Sequence, residues 1–216
     1  MSNAKVAADF IDQHPVIKEC IAKGLVNFSE LARQIIKQEK IGNENFDALV
    51  VAIRRYAEKT KPRKENEKAI VELLQKSNLE MKNKICSVVA DETTAFSQLS
   101  KLIVEINEKQ EPIHLIQGSR TFTIITSQNF LEKIERLFAG KIISKKKNLL
   151  QIVIRSSPTI ESTPGVVAFI YGLFAEKGIN IVETMSSWTE TLILIEEKDI
   201  EKSMKALDFK KEEKQK

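Results

Sequence analysis

Thr163 to Ile195, TPGVVAFIYGLFAEKGINIVETMSSWTETLILI, carries a helix start, a helix stop and two strands in a single run. Pro164 suits the first helical position, because its missing N–H would have had no helical partner and its φ is already helical. Thr163 is placed to cap from the side, and Gly178 closes the helix. Ile179 to Met185 and Thr191 to Ile195 follow as strands. The amides of Gly165 and Val166 then point out of the first turn unpaired, and Gly165 has no side chain to keep a carboxylate away. Ser162 or Thr163 offers a hydroxyl and Asn180, just past the Gly178 turn, an amide. The contacts expected for a small anion are therefore Ser162, Thr163, Pro164, Gly165, Val166 and Asn180. Taken alone, Pro-Gly is also simply a turn that starts a helix, and Asn180 a turn cap.

The elements around this run form a repeat. Before it stands a strand, Leu149 to Arg155, and after it a helix, Lys198 to Leu207. Upstream, the same order appears as strand Ile85 to Ala90, helix Thr93 to Lys109, strands Ile113 to Gln117 and Thr121 to Thr126, helix Asn129 to Ala139 and strand Lys141 to Ser144. That is βαββαβ, with Gly118-Ser119 read as a two-residue hairpin. Phe96, Leu99, Ile103 and Ile106 stripe the inner face of its first helix, and Phe130, Ile134, Leu137 and Phe138 that of its second. The downstream copy has no clear last strand, because Lys210 to Lys214 is too charged for an inner one and reads as a solvated tail. Either a partner sheet lies alongside, or Lys141 to Asn148 is shared between the copies.

Lys5 to about Ser77 is helical in pattern, with breaks at His14-Pro15, Gly24 and Gly42 and a polar joint at Lys61-Pro62-Arg63-Lys64. Asn27-Phe28-Ser29-Glu30 reads as a capping box, and Phe46, Leu49, Val50, Ile53 and Ala57 share one side of a longer helix. The expected fold class is α+β: a helical domain over residues 1–80 and two tandem ferredoxin-like modules over 81–148 and 149–216. Ser2-Asn3-Ala4 resembles a purification-tag remnant and is given no structural weight.

The 216 residues are 42% hydrophobic and 30% charged, ordinary for a soluble globular chain with room for a real core. A formal charge of +4, with acidic residues dispersed among the basic ones, does not by itself call for nucleic acid. No run of 18 apolar residues and no basic-then-apolar leader is present, so no membrane partner and a cytoplasmic location are expected. Cys20 and Cys86 fall in different elements and are expected to be reduced, packed thiols.

Enzyme readings find little purchase. The sequence has no Gly-rich phosphate loop, no Gly-x-Ser-x-Gly and no spacing that builds a metal site, so neither cofactor nor metal is expected. His14 precedes a proline at a helix break and His114 sits in a strand, both more in keeping with packing or surface positions than with a base. Trp188, near a hairpin turn, either stacks on a ligand or closes a sheet edge. On the helix from Pro164, Val166, Ile170, Leu173 and Phe174 form the core face. Val167, Phe169 and Tyr171 lie outside that stripe, where an interface with a second copy would cover them.

The motif Glu161-Ser162-Thr163-Pro164-Gly165 before such a helix resembles the first loop of the ACT domain, an amino-acid-sensing module whose loop usually reads Asp/Asn-x-Pro-Gly; here Ser162 stands where Asp or Asn is usual. The resemblance covers about the C-terminal two thirds, and with a helical segment in front it is similar to archaeal proteins described as predicted regulators of amino acid metabolism. It implies a non-enzymatic regulator that binds an amino acid or small acid in its last module. The first module has Asp91-Glu92-Thr93-Thr94 at the corresponding turn, whose acidic residues would repel a carboxylate. Ser29 to Ile35, a break, and Phe46 to Tyr56 resemble a helix-turn-helix with a long link, in which Arg54, Arg55, Lys61, Arg63 and Lys64 would contact DNA. Two alternatives to sensing stay open: a ligand-free interaction subunit, and an amino-acid-responsive transcription factor.

Overall fold

A computed structural model describes residues 2–60, 64–91 and 96–209. The Lys61-Pro62-Arg63 joint, the Glu92-Thr93-Thr94 turn and the tail from Lys210 lie outside the described residues, as do the side chains of Lys64 and Phe96. Contacts divide the chain into two compact units, Met1–Lys68 and Ala69–Lys216.

The first unit is built from α1 (Asn3–Gln13), α2 (Pro15–Ala22), α3 (Phe28–Glu39) and α4 (Phe46–Lys59). Pro15 opens α2 after the break at His14, and Gly24 turns the chain away at φ 70°. The Asn27 side chain accepts from the amides of Ser29 and Glu30 at 3.0 and 3.2 Å, capping α3. Phe10, Ile11, Leu31, Ile35, Leu49 and Ile53 fill one core. Ser2 and Asn3 belong to this unit: Ser2 is the N-cap of α1, and Asn3 donates to Asn45 at 3.0 Å. Tag-like composition did not prevent those residues from being used structurally.

After α5 (Lys64–Gln75), the second unit holds β1 (Asn78–Asp91), α6 (Phe96–Glu108), β2 (Ile113–Gln117), β3 (Thr121–Ser127), α7 (Leu131–Leu137), β4 (Ile142–Arg155), α8 (Val166–Glu176), β5 (Glu183–Ser187), β6 (Glu190–Glu196) and α9 (Ile200–Ala206). The strands form one antiparallel sheet of order β2-β3-β1-β4-β6-β5. Two strands of 14 residues, β1 and β4, lie at its centre.

Each long strand serves two modules. The first half of β1 pairs with β4, Asn78 opposite Arg155 and Lys82 opposite Gln151, and this is the last strand the sequence did not show for the second module. Reciprocally, the first half of β4 pairs with the second half of β1, Ile142 opposite Ala90, and completes the first module. Lys141 to Ser144 and Leu149 to Arg155, read from sequence as two strands, are therefore one, since β4 runs unbroken from Ile142. The midpoint of each strand is a single left-handed residue, Lys84 at φ 54° and Asn148 at φ 56°. The ladder between β1 and β4 shifts register around both. The hairpin at Gly118 also differs from its reading. Gly118 donates to the carbonyl of Thr121 at 2.7 Å, so Ser119-Arg120 are the central residues, and a Cβ on Gly118 would stand 3.2 Å from that carbonyl.

Alternation within the strands sorts the core into layers. Ile152, Ile154, Ile193 and Ile195 meet Ile70, Leu74, Val166, Ile170 and Phe174 from α5 and α8. Val88, Ala90 and Ile124 meet Leu102, Ile106, Ile134 and Phe138 from α6 and α7. The opposite face carries Ile85, Ile125, Leu149, Val153, Leu192 and Leu194, joined by Ile116 and Met185 from the two edge strands. The sheet curls around that face, which brings His114 of β2 near Gln151 of β4 and Glu190 of β6.

Candidate functional site

Between β4 and α8 the chain makes a 3-10 turn, Pro158–Ser162, and then the Pro164-Gly165 turn. Gly165, at φ 96° and ψ −3°, is the N-cap of α8, and the helix begins at Val166. Those angles suit the third position of a type II turn with Pro164 at the second, a place where glycine is favoured and other residues are strained. The sequence reading placed Pro164 inside the helix; Pro-Gly instead forms the turn before it. Nor does Thr163 cap the helix, because its hydroxyl donates to the carbonyl of Thr159 at 2.7 Å. Ser162 donates to the same carbonyl at 3.2 Å.

The first α8 bond runs from the Phe169 amide to the Gly165 carbonyl at 2.9 Å, and among the described residues no backbone partner takes the amides of Val166, Val167 and Ala168. A cavity of about 390 Å³ opens beside these amides. Its walls are Ile160, Glu161 and Thr163 from the preceding turn, Gly165 to Ala168 from the helix start, and Ser186 and Trp188 from the β5–β6 hairpin. Glu161 is exposed, and among the described residues the cavity has no cationic side chain. One end of the site therefore presents donors near the positive end of a helix, and a carboxylate stands on its rim.

Of the residues expected from sequence, Thr163, Gly165 and Val166 line the cavity. Ser162 and Pro164 belong to the same turn without lining it. Asn180 follows Gly178 beyond the other end of α8, an 11-residue helix spanning about 16 Å at about 1.5 Å per residue. Glu161 and Ser186 were not among the expected residues, and Trp188 entered only as a residue that either stacks on a ligand or closes a sheet edge. Glu161 is the first residue of the loop motif, whereas Ser186 and Trp188 arrive through the pairing of β6 with β4, which local sequence does not reveal.

The interface reading changes as well. Val167 is 40% exposed, but Phe169 and Tyr171 pack against the α8 core, and the Tyr171 hydroxyl donates to Thr184 at 3.0 Å. Arg54 and Arg55 are exposed on α4; Lys61 and Arg63 fall outside the described residues. Lys40 to Asn45 joins α3 to α4 and includes a 3-10 turn, Asn43–Asn45.

The sequence over residues 145–208 matches the family model described as ACT domain. Residues 145–208 are an ACT domain. The matched span starts within β4 and holds the turn, α8 and the hairpin that bound the cavity, but not Asn78–Lys82, the strand that completes its sheet. No curated protein matches the chain. Among solved structures, the regulatory subunit of aspartate kinase from Thermus thermophilus in its ligand-free form is similar at 17% identity and a TM-score of 0.46, covering 60% of this chain and 92% of that one. Clostridium acetobutylicum aspartate kinase is similar at 14% identity and a TM-score of 0.48, covering 60% of this chain and 33% of that one.

Proposed function

We propose that this protein is a non-enzymatic regulator that senses an amino acid or a similar small carboxylate at the start of α8 and so controls amino acid metabolism. The observation that carries the reading is the cavity of about 390 Å³ in the ACT domain, where unpaired amides and a carboxylate border one space. A zwitterion complements that arrangement. Its carboxylate takes the amides of Val166 to Ala168, and its ammonium takes Glu161. Glu161 then makes the amine contact that the acidic loop residue makes in the family pattern, where Ser162 stands here. Occupancy favours the state in which turn and hairpin close on the ligand, and a regulator acts by such a shift of populations.

Thermal unfolding of the full chain against a panel of amino acids tests the reading. A ligand that binds only the native state raises the midpoint, by an amount equivalent to about 2.7 kcal/mol at a hundredfold excess over Kd. A panel in which no amino acid moves the midpoint would remove sensing and leave a docking subunit. Arg54 and Arg55 make the helical unit the proposed output element, and retention on duplex DNA that weakens steeply with salt tests a nucleic-acid output.

A further inference from the structure

We infer that Trp188 makes the cavity selective for amino acids with an uncharged, apolar side chain; this rests on the sensing reading and narrows it. Trp188 is the single tryptophan of the chain and is 70% exposed. Ser187 pairs with Glu190, so Trp188 and Thr189 are the central residues of the hairpin, with Trp188 at φ 50°. A positive φ at the first central position alone is the type II′ pattern, which favours glycine. A large aromatic side chain there is strained locally, and it joins none of the buried clusters. Trp188 instead borders the cavity, together with Ile160 and the exposed Val167.

The site thus has a polar end, made by the helix amides and Glu161, and an apolar wall made by Trp188, Val167 and Ile160. An acidic ligand side chain meets no cationic partner among the described lining residues and is repelled by Glu161. A basic side chain competes with the ligand's own ammonium for that single carboxylate, leaving one positive charge against the apolar wall. An apolar side chain carries neither penalty, and it buries indole area now open to water.

The test follows the emission of the single tryptophan in the full chain during titration with leucine, phenylalanine, alanine, aspartate and lysine. Leucine and phenylalanine should shift the emission to the blue saturably and bind at least tenfold more tightly than aspartate or lysine. Trp188→Gly suits the backbone at that position and so preserves the hairpin. Calorimetry on this variant should show leucine and phenylalanine weakened about tenfold and alanine changed by less than about twofold. Binding of an amino acid without an emission shift, equal affinity for aspartate, or an unchanged affinity in Trp188→Gly overturns the selectivity while leaving sensing intact. Absence of binding by every amino acid, in the parent chain and the variant alike, overturns sensing and selectivity together.

Discussion

The main-chain amide of Lys84 donates to the Glu197 carboxylate at 2.6 Å at the point where β1 passes from one half of the sheet to the other. The same solution recurs at the other long strand, where the Asn148 amide donates to the Gln128 side chain at 2.9 Å. Glu197 and Gln128 each open the 3-10 turn that follows an inner strand, β6 in one module and β3 in the other. A left-handed residue frees an amide from the ladder, and the turn of the opposite module captures it.

Lys84→Gly should therefore stabilise the protein. Relief of the left-handed conformation is worth roughly 1–2 kcal/mol and the added chain entropy costs about 0.5–1, leaving a gain of up to about 1.5. Glu197→Ala hands the exposed Lys84 amide to water and should cost about 0.5–1.5 kcal/mol. Urea unfolding midpoints of the two variants are expected to move in opposite directions.

The ACT domain is incomplete without Asn78–Lys82. A fragment spanning 145–209 lacks the strand paired to Gln151–Arg155 and the Ile70 and Leu74 side chains from α5 that close its core. Its far-UV circular dichroism should show little structure, and a peptide of residues 69–91 added in trans should restore it. A fragment that folds cooperatively alone would contradict the exchange of strands.

Acid should loosen the curled sheet. His114 stands opposite Ile125, and its Nε2 and the Gln151 Oε1 are both buried without a hydrogen-bond partner among the described residues. Burial pushes the imidazole below its ordinary value, with Gln151 and the charge of Glu190 pulling weakly the other way. The unfolded chain then binds the proton more readily, so this contribution to stability is complete above about pH 6.5 and is lost as pH falls toward the folded value. The urea midpoint should drop between about pH 7.5 and 5.5 in the parent chain, and the drop should shrink in His114→Phe.

Thiol labelling should separate the two cysteines. Cys86 is buried, and burial pushes its thiol up to about 11, whereas Cys20 is half-buried. At pH 8 a maleimide is expected to modify Cys20 in the native protein, and Cys86 only after denaturant is added.

Much of this architecture was legible because its inner strands and helices carry strong periodicity. Ile113 to Gln117 was read to the residue, and the breaks at His14-Pro15, Gly24 and Gly42 stand where proline and glycine put them. Asn78 to Lys82 escaped because that half of β1 is an edge: Leu79 is 43% exposed, Met81 is only partly buried, and Glu80 and Lys82 fill the alternate positions. The Lys145-Lys146-Lys147 run separates two strands in the sequence reading because β4 is exposed there, although its backbone continues the ladder. At the site, the turn could be read from Pro-Gly but its register could not, since proline suits both the first helical position and the second position of a turn. Trp188 was visible beside a hairpin turn and invisible as a wall, because the hairpin is placed in the sheet by the long-range pairing of β6 with β4, Ile154 opposite Thr191.

Amide chemical shifts of the full chain, followed while a saturating apolar amino acid is added, test the central claim most directly. Saturable shifts are expected at Gly165 to Ala168 and at the Trp188 indole, with Asn180 unmoved. Saturable binding whose shifts cluster around Asn180 or elsewhere, with the α8 start unchanged, would contradict it.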